Sequence, residues 1–220
     1  MSRGRLADEV ANELRARIYN GRYRSGQRLL QEQLAEELDI SRTPLREALR
    51  VLEKEGLVSV LAKGGVQVVK ADTDQWLAAF ELREVIDGLA TRLATQRGSF
   101  HFKTQIQAML STQRSVLQAW NPSDWTEANV AFHRLIVEAA ANEYVTAQLP
   151  LVRLTAQVFV LSSVVEPSRA ETALQDHETI VEAITAGDPL SAESAARTHI
   201  RRTIQGIRNQ PGLERIAGID

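Results

Sequence analysis

The chain has 220 residues, 44% hydrophobic and 25% charged, the makeup of an ordinary globular protein with enough length for one large domain or two small ones. It contains no cysteine, which excludes disulfides, thiolate metal sites and cysteine nucleophiles, and no apolar run reaches the roughly 18 residues of a membrane helix. The formal net charge of −2 hides an asymmetry: residues 1–70 carry 13 Lys+Arg against 10 Asp+Glu (+3), and residues 71–220 carry 13 against 18 (−5), so a polyanionic partner is expected at the first third alone.

The opening stretch, MSRGRLADEVANEL, has no hydrophobic signal segment, and the expectation is a cytoplasmic protein. Leu6, Val10, Leu14 and Ile18 recur every four residues and predict an amphipathic helix that Asn20-Gly21 stops. After the linker RYRSGQ, a second helix is predicted over about residues 31–38, with Leu34, Ala35 and Leu38 inward. The tight turn DIS (39–41) then offers Ser41 as an N-cap.

The third helix, TPLREALRVLEKEG, has Pro44 in its first turn, where a missing N–H costs little. Leu45, Ala48, Leu49 and Leu52 form its inner stripe, Arg42, Arg46 and Arg50 form a second stripe, and Gly56 ends it. LVSVL, AKGG and VQVVK then read as two short strands joined by a glycine-containing tip. This order within 70 residues is a winged helix-turn-helix. On the second helix of such a motif, an arginine stripe is placed to enter a major groove. Ser41, Arg42, Thr43, Arg46 and Arg50, with Lys63 and Gly64 at the wing tip, are therefore the candidate DNA contacts.

The connector ADTD (71–74) reads as a hinge, and everything beyond it reads as helix. WLAAFELREVIDGLATRLA carries Leu77, Phe80, Ile86, Leu89 and Leu93 on one face. NPSD (121–124) breaks the next helix, where Ser123 or Asp124 is available as a cap. The stretch that follows runs to about Ala141, and Asn142 permits a bend. Pro150 kinks or begins the apolar segment LPLVRLTAQVFVLSSVV, and Ser168-Arg-Ala-Glu171 has the spacing of a capping box for the next helix. Gly187-Asp188-Pro189 separates that helix from the last, at about residues 189–208. The fold class expected is mainly α: an N-terminal winged helix-turn-helix (1–70), a linker (71–74), a C-terminal all-α six-helix bundle (75–210) and a tail (211–220).

Three of the four histidines, His133, His177 and His199, stand inside three different helices of that bundle, and Asn129 shares a face with His133. Imidazoles from separate helices can converge on one ion in a bundle core, and neutral imidazole suits zinc, nickel, copper or iron. The alternative is three unrelated helix histidines. A metal-dependent hydrolase would also use three histidines with an open position. Against it, Val181 stands four residues after His177, where an HExxH motif would need its second histidine, and neither a phosphate loop nor a nucleophile elbow occurs. A DNA-binding protein without ligand control is the third reading.

The stretch GQRLLQEQLAEELDISRTPLREALRVLEKEGLV closely resembles the DNA-binding segment of the GntR superfamily of bacterial transcription factors. LREVID (82–87), FHRLIVEAAAN (132–142), HETIVEAITAGD (177–188) and AARTHI (195–200) are similar to the FCD effector domain of its FadR-like branch. The resemblance implies a ligand-responsive regulator, most often a repressor, that binds palindromic operator DNA as a homodimer and is no enzyme. It implies DNA contacts from Arg42, Thr43, Arg46, Lys63 and Gly64; the acidic Glu32 lies where some relatives carry a basic residue. It also implies a divalent transition metal, zinc or nickel first, at Asn129, His133, His177 and His199. Metal-binding members have an aspartate where Asn129 stands, so the site is one negative charge poorer. A small carboxylate effector is implied as well, met by Arg83 of the LREVID match. Arg153, isolated in an apolar run, is a second candidate from the residues themselves. Asp87 departs from the family pattern, which has glutamate there.

Overall fold

The computed structural model describes residues 3–19, 21–61, 65–70, 73–155 and 166–209. The chain divides into two compact units, Met1–Lys70 and Ala71–Asp220.

In the first unit, α1 (Arg3–Tyr19) packs its buried Ala7, Val10, Ala11, Leu14 and Ile18 on α3 (Arg42–Lys54). A bidentate pair, Arg15 Nε and Nη2 to the Glu55 carboxylate at 2.8 and 2.7 Å, fastens α1 to the end of α3. α2 (Gln31–Glu37) is short, and the turn after it holds Asp39 at φ 51°, the left-handed conformation that aspartate tolerates. Ser41 occupies the N-cap position of α3 as expected, but its side chain makes no capping hydrogen bond. Leu45, Ala48, Leu49 and Leu52 are buried, and Arg42, Arg46 and Arg50 are exposed.

Three strands complete the unit: β1 (Arg28–Leu29), β2 (Val58–Val60) and β3 (Val66–Val68). The wing hairpin pairs Val58 with Val68 and Val60 with Val66. β1 was not expected from the sequence, because two residues carry no readable period. It pairs antiparallel with β3, Arg28 opposite Gln67 and Leu29 opposite Val66, and makes β3 the central strand. The wing-tip residues Lys63 and Gly64 lie outside the described residues.

The second unit is built from α4 (Thr73–Arg97), α5 (Phe100–Gln118), α6 (Pro122–Ala139), α7 (Glu143–Thr146), α8 (Leu149–Arg153), α9 (Pro167–Ala186) and α10 (Pro189–Arg208). Five of these are long; of the two short ones, α7 follows the bend expected at Asn142 and α8 lies at the start of the apolar segment. Pro150 lies in the first turn of α8 and so begins that element; the rest of the apolar segment, 156–165, falls outside the described residues.

Helix ends differ from the expected caps. Asn121 caps α6, its Oδ1 accepting from the Ser123 and Asp124 amides at 2.9 and 3.3 Å, so neither Ser123 nor Asp124 is the cap. Asn142 does the same for α7, after Ala141 at φ 47°. The capping box at Ser168 does not form: α9 begins one residue earlier, at Pro167, with Glu166 as N-cap and no side-chain bond. Proline's fixed φ starts the helix before Ser168 has a capping position. Gly187, at φ 74°, closes α9, and Asp188 accepts from the Leu190 and Ser191 amides to open α10.

The core of this unit includes Phe102, Ile106, Phe132, Ile136, Ile180 and Ile184. The inward stripe of α4 is Trp76, Phe80, Arg83, Asp87, Ala90 and Ala94, all buried, whereas Leu77, Ile86 and Leu89 from the predicted face are only half-buried. Two charged side chains therefore occupy a core stripe. A Cβ at Gly88 of α4 would stand 2.7 Å from Arg197 Cγ of α10, so glycine is what lets that arginine lie across α4.

A buried three-histidine site beside a cavity

α6, α9 and α10 bring His133, His177 and His199 together, all buried. Their ring centroids lie 4.7–5.3 Å apart, and one imidazole nitrogen from each falls within 4.8 Å of the others. His177 also stacks on Phe132, centroids 4.1 Å apart and planes 20° apart, which fixes its ring in the hydrophobic core. His101, the fourth histidine, is exposed on α5.

Each imidazole has its Nδ1 turned to an outer oxygen. His177 Nδ1 lies 2.9 Å from Gln113 Oε1, and Gln113 Nε2 donates to the Ala128 carbonyl at 3.4 Å. A carbonyl only accepts, so the NH₂ faces it, the amide oxygen faces His177, and Nδ1 carries the proton. His199 Nδ1 donates to Asp176 Oδ2 at 3.3 Å, and Arg202 holds the other carboxylate oxygen. His133 Nδ1 stands 3.1 Å from Asp87 Oδ2, which is 3.2 Å from Arg83 Nε. Neither of these last two contacts has hydrogen-bond alignment. With oxygens at every Nδ1, the lone pairs are left on Nε2, and Nε2 of His133 and of His177 is buried without a partner.

Burial pushes the His133 pKa down, with Arg83 adding to it, to about 4, and burial holds His177 well below the usual imidazole value, with His199 next. Both are neutral at pH 7, the form that ligates metals. Burial alone would raise the Asp87 pKa, but the Arg83 guanidinium and His133 outweigh it and hold the carboxyl at about 2. Because His133 is uncharged at neutral pH, Arg83 is the cation that matters there. Asp176 is likewise lowered: burial opposes ionisation, and His199 and Arg202 overcome it. Three converging imidazoles, two of them neutral with an unpartnered Nε2, form a donor set that fits a divalent transition metal.

A cavity of about 390 Å³ opens beside two of the rings, lined among others by Phe80, Arg83, Trp125, Asn129, His133 and His199. Arg83 is 3% exposed; its Nη1 donates to Thr155 Oγ1 at 3.2 Å, and Nε and Nη2 have no hydrogen-bond partner. Asn129, half-buried, faces this cavity with His133. Arg153 is half-buried on α8 and does not line it. Asp87, Gln113, Asp176 and Arg202 were missed by sequence reasoning as partners of the site. A signal existed for Asp87, a carboxylate four residues after Arg83 on one helix face.

In the first unit, Ser41, Arg42, Thr43, Arg46 and Arg50 are all exposed at or along α3. Arg42 pairs with Glu32 of α2, so its guanidinium is held at the start of the helix.

The FCD domain family matches residues 78–202, and the family of bacterial regulatory proteins named gntR matches residues 6–68. The chain belongs to the GntR family, with an FCD domain. A probable D-xylose utilization operon transcriptional repressor of Paenarthrobacter nicotinovorans is 26% identical, over 96% of this chain and 93% of that protein. A putative L-lactate dehydrogenase operon regulatory protein of Escherichia coli K12 is 30% identical, over 89% and 84%. Among solved structures, E. coli McbR/YncC superposes with a TM-score of 0.82 at 19% identity, covering 96% of this chain and 99% of its own. This GntR-family chain is thus a transcriptional regulator and not an enzyme. No helix among its described residues is long and apolar enough to cross a membrane.

Proposed function

We propose that this regulator is a ligand-responsive, cytoplasmic DNA-binding homodimer, a repressor, whose FCD unit binds a divalent transition metal, zinc or nickel first, together with a small carboxylate. The observation that carries the proposal is the set of three buried imidazoles, with the Nε2 atoms of His133 and His177 unsatisfied, beside a cavity lined by a buried arginine with two nitrogens that make no hydrogen bond. Arg83 pairs with Asp87 through Nε and still has Nη2 without a partner, and a guanidinium fork suits a carboxylate. His133, His177 and His199 would hold the metal, with Asn129 available as a weaker amide ligand. A metal there would supply a Lewis-acid contact for the effector's oxygen. Arg83 orients the carboxylate, and Phe80 and Trp125 supply apolar walls.

DNA binding is assigned to Ser41, Arg42, Thr43, Arg46 and Arg50, with Lys63 and Gly64 at the wing. An arginine at a guanine is worth about 1–3 kcal/mol, so Arg46→Ala should weaken binding roughly 5- to 150-fold in a gel shift on DNA upstream of the gene. Unchanged binding would remove α3 from the interface. The relatives named for D-xylose and L-lactate dehydrogenase operons support an effector drawn from carbon catabolism, such as a sugar acid or a hydroxy acid. Elemental analysis of purified protein tests the metal, expected near one ion per chain. A metal-free wild type that takes up neither zinc nor nickel would refute that part.

A further inference from the structure

Asn129 offers the site an uncharged amide, yet a carboxylate is present one layer out. Asp87, on α4, is 4% exposed and lies against the back of His133, Oδ2 to Nδ1 at 3.1 Å. It is one helical turn from Arg83, and both of its oxygens lack an aligned hydrogen-bond partner. Arg83 offsets its charge, and the oxygen that faces Arg83 also faces His133.

We propose that Asp87 supplies, through the outer nitrogen of His133, the negative charge that Asn129 does not supply as a direct ligand, so that His133 binds the metal through Nε2. The proposal rests on the metal reading above. Geometry excludes the direct alternative: with Nδ1 facing Asp87, His133 Nε2 points away from that carboxylate, so Asp87 acts on the ion through the ring. A carboxylate against Nδ1 favours the proton on that nitrogen and raises the basicity of Nε2. Outer carboxylates of this kind typically change metal affinity 10- to 100-fold. The other two rings have the same construction: Gln113 stands behind His177 and Asp176 behind His199. Asp176 meets Arg202 as Asp87 meets Arg83, and Gln113 is neutral; Asp87 is singled out as the outer anion on His133, the ring four residues from Asn129. Asp87 also joins the metal side to the effector side, since the oxygen at His133 is 3.2 Å from Arg83 Nε.

The experiment measures zinc affinity of the full chain by competition with a chromogenic chelator, in wild type, Asp87→Asn, Asn129→Asp and the double variant. Asp87→Asn should bind zinc 10- to 100-fold more weakly. Asn129→Asp should gain more in the Asp87→Asn background than in wild type, because two nearby anions partly duplicate each other. Unchanged affinity in Asp87→Asn, or equal gains in the two backgrounds, overturns the proposal and leaves the metal site standing. A wild type that binds no zinc and no nickel overturns both. Because Asp87→Asn leaves Arg83 without its anion and can impair folding, ¹⁵N-detected histidine spectra of zinc-loaded wild type give an independent answer. His133 should show a metal-bound Nε2 and a protonated Nδ1; a metal-bound Nδ1 overturns the proposal.

Discussion

Lowering the pH from 7 to 4.5 should destabilise the metal-free second unit, and the size of the loss follows from His133. Its folded pKa is about 4 against an ordinary 6.5, because burial and Arg83 disfavour the cation. Between those values the unfolded chain binds a proton that the folded chain refuses, so stability is complete above 6.5 and declines as pH falls toward 4. Integrating between pH 7 and 4.5 gives about 2.5 kcal/mol for this histidine alone. His177 is shifted the same way and adds loss of the same sign. At 2–4 °C per kcal/mol for a chain of this size, His133 accounts for a drop of roughly 5–10 °C in Tm. The assay is thermal or urea unfolding in chelator-treated buffer, with His133→Gln as reference, since a glutamine has no proton to take up in this range. Wild type should lose more stability than the variant over the interval. Equal losses, or a Tm that does not move, would refute the claim that the imidazole is held neutral by burial.

Zinc at 100 times its Kd should stabilise the native state by about 2.7 kcal/mol, seen as a rise in Tm that His177→Ala abolishes; a rise that persists in the variant places the ion elsewhere. Leu45→Ala in α3, where the side chain is fully buried, should cost about 2–5 kcal/mol in urea unfolding followed by circular dichroism, and a smaller loss would mean that the helix-turn-helix core collapses around the gap. Asn121→Ala removes the two capping bonds of α6 and should cost about 1 kcal/mol. Asn121→Ser should recover most of it, and no recovery would show that the bonds are not what Asn121 contributes.

The helix-turn-helix was legible because its signals are local. The four-residue spacing of Leu6 to Ile18, the Leu45–Leu52 stripe and the arginines at 42, 46 and 50 each sit on one element. β1 was illegible for the same reason: Arg28 and Leu29 form a strand only because β3 lies beside them. Helix ends divided along similar lines. Gly187 reads as a stop in any context, whereas the choice between Asn121 and Ser123, or between Glu166 and Ser168, depended on where a proline fixed the first turn. The expected face of α4 was right at Phe80 and Leu93, which are buried, and incomplete because Arg83 and Asp87 also occupy the core as a mutually neutralising pair.

The sequence by itself determined the division of the chain: a basic helix-turn-helix segment with an arginine-bearing helix, then a helical unit carrying three histidines on three helices. Periodicity, turn residues and charge are properties of neighbouring positions, and these conclusions need nothing more. Only the tertiary structure decided that the three rings share one centre and that an oxygen stands behind each Nδ1. It also decided that Asp87, 46 residues before His133 in the sequence, lies against that ring. Those facts depend on how α4, α5, α6, α9 and α10 pack, and packing joins residues that no local pattern connects.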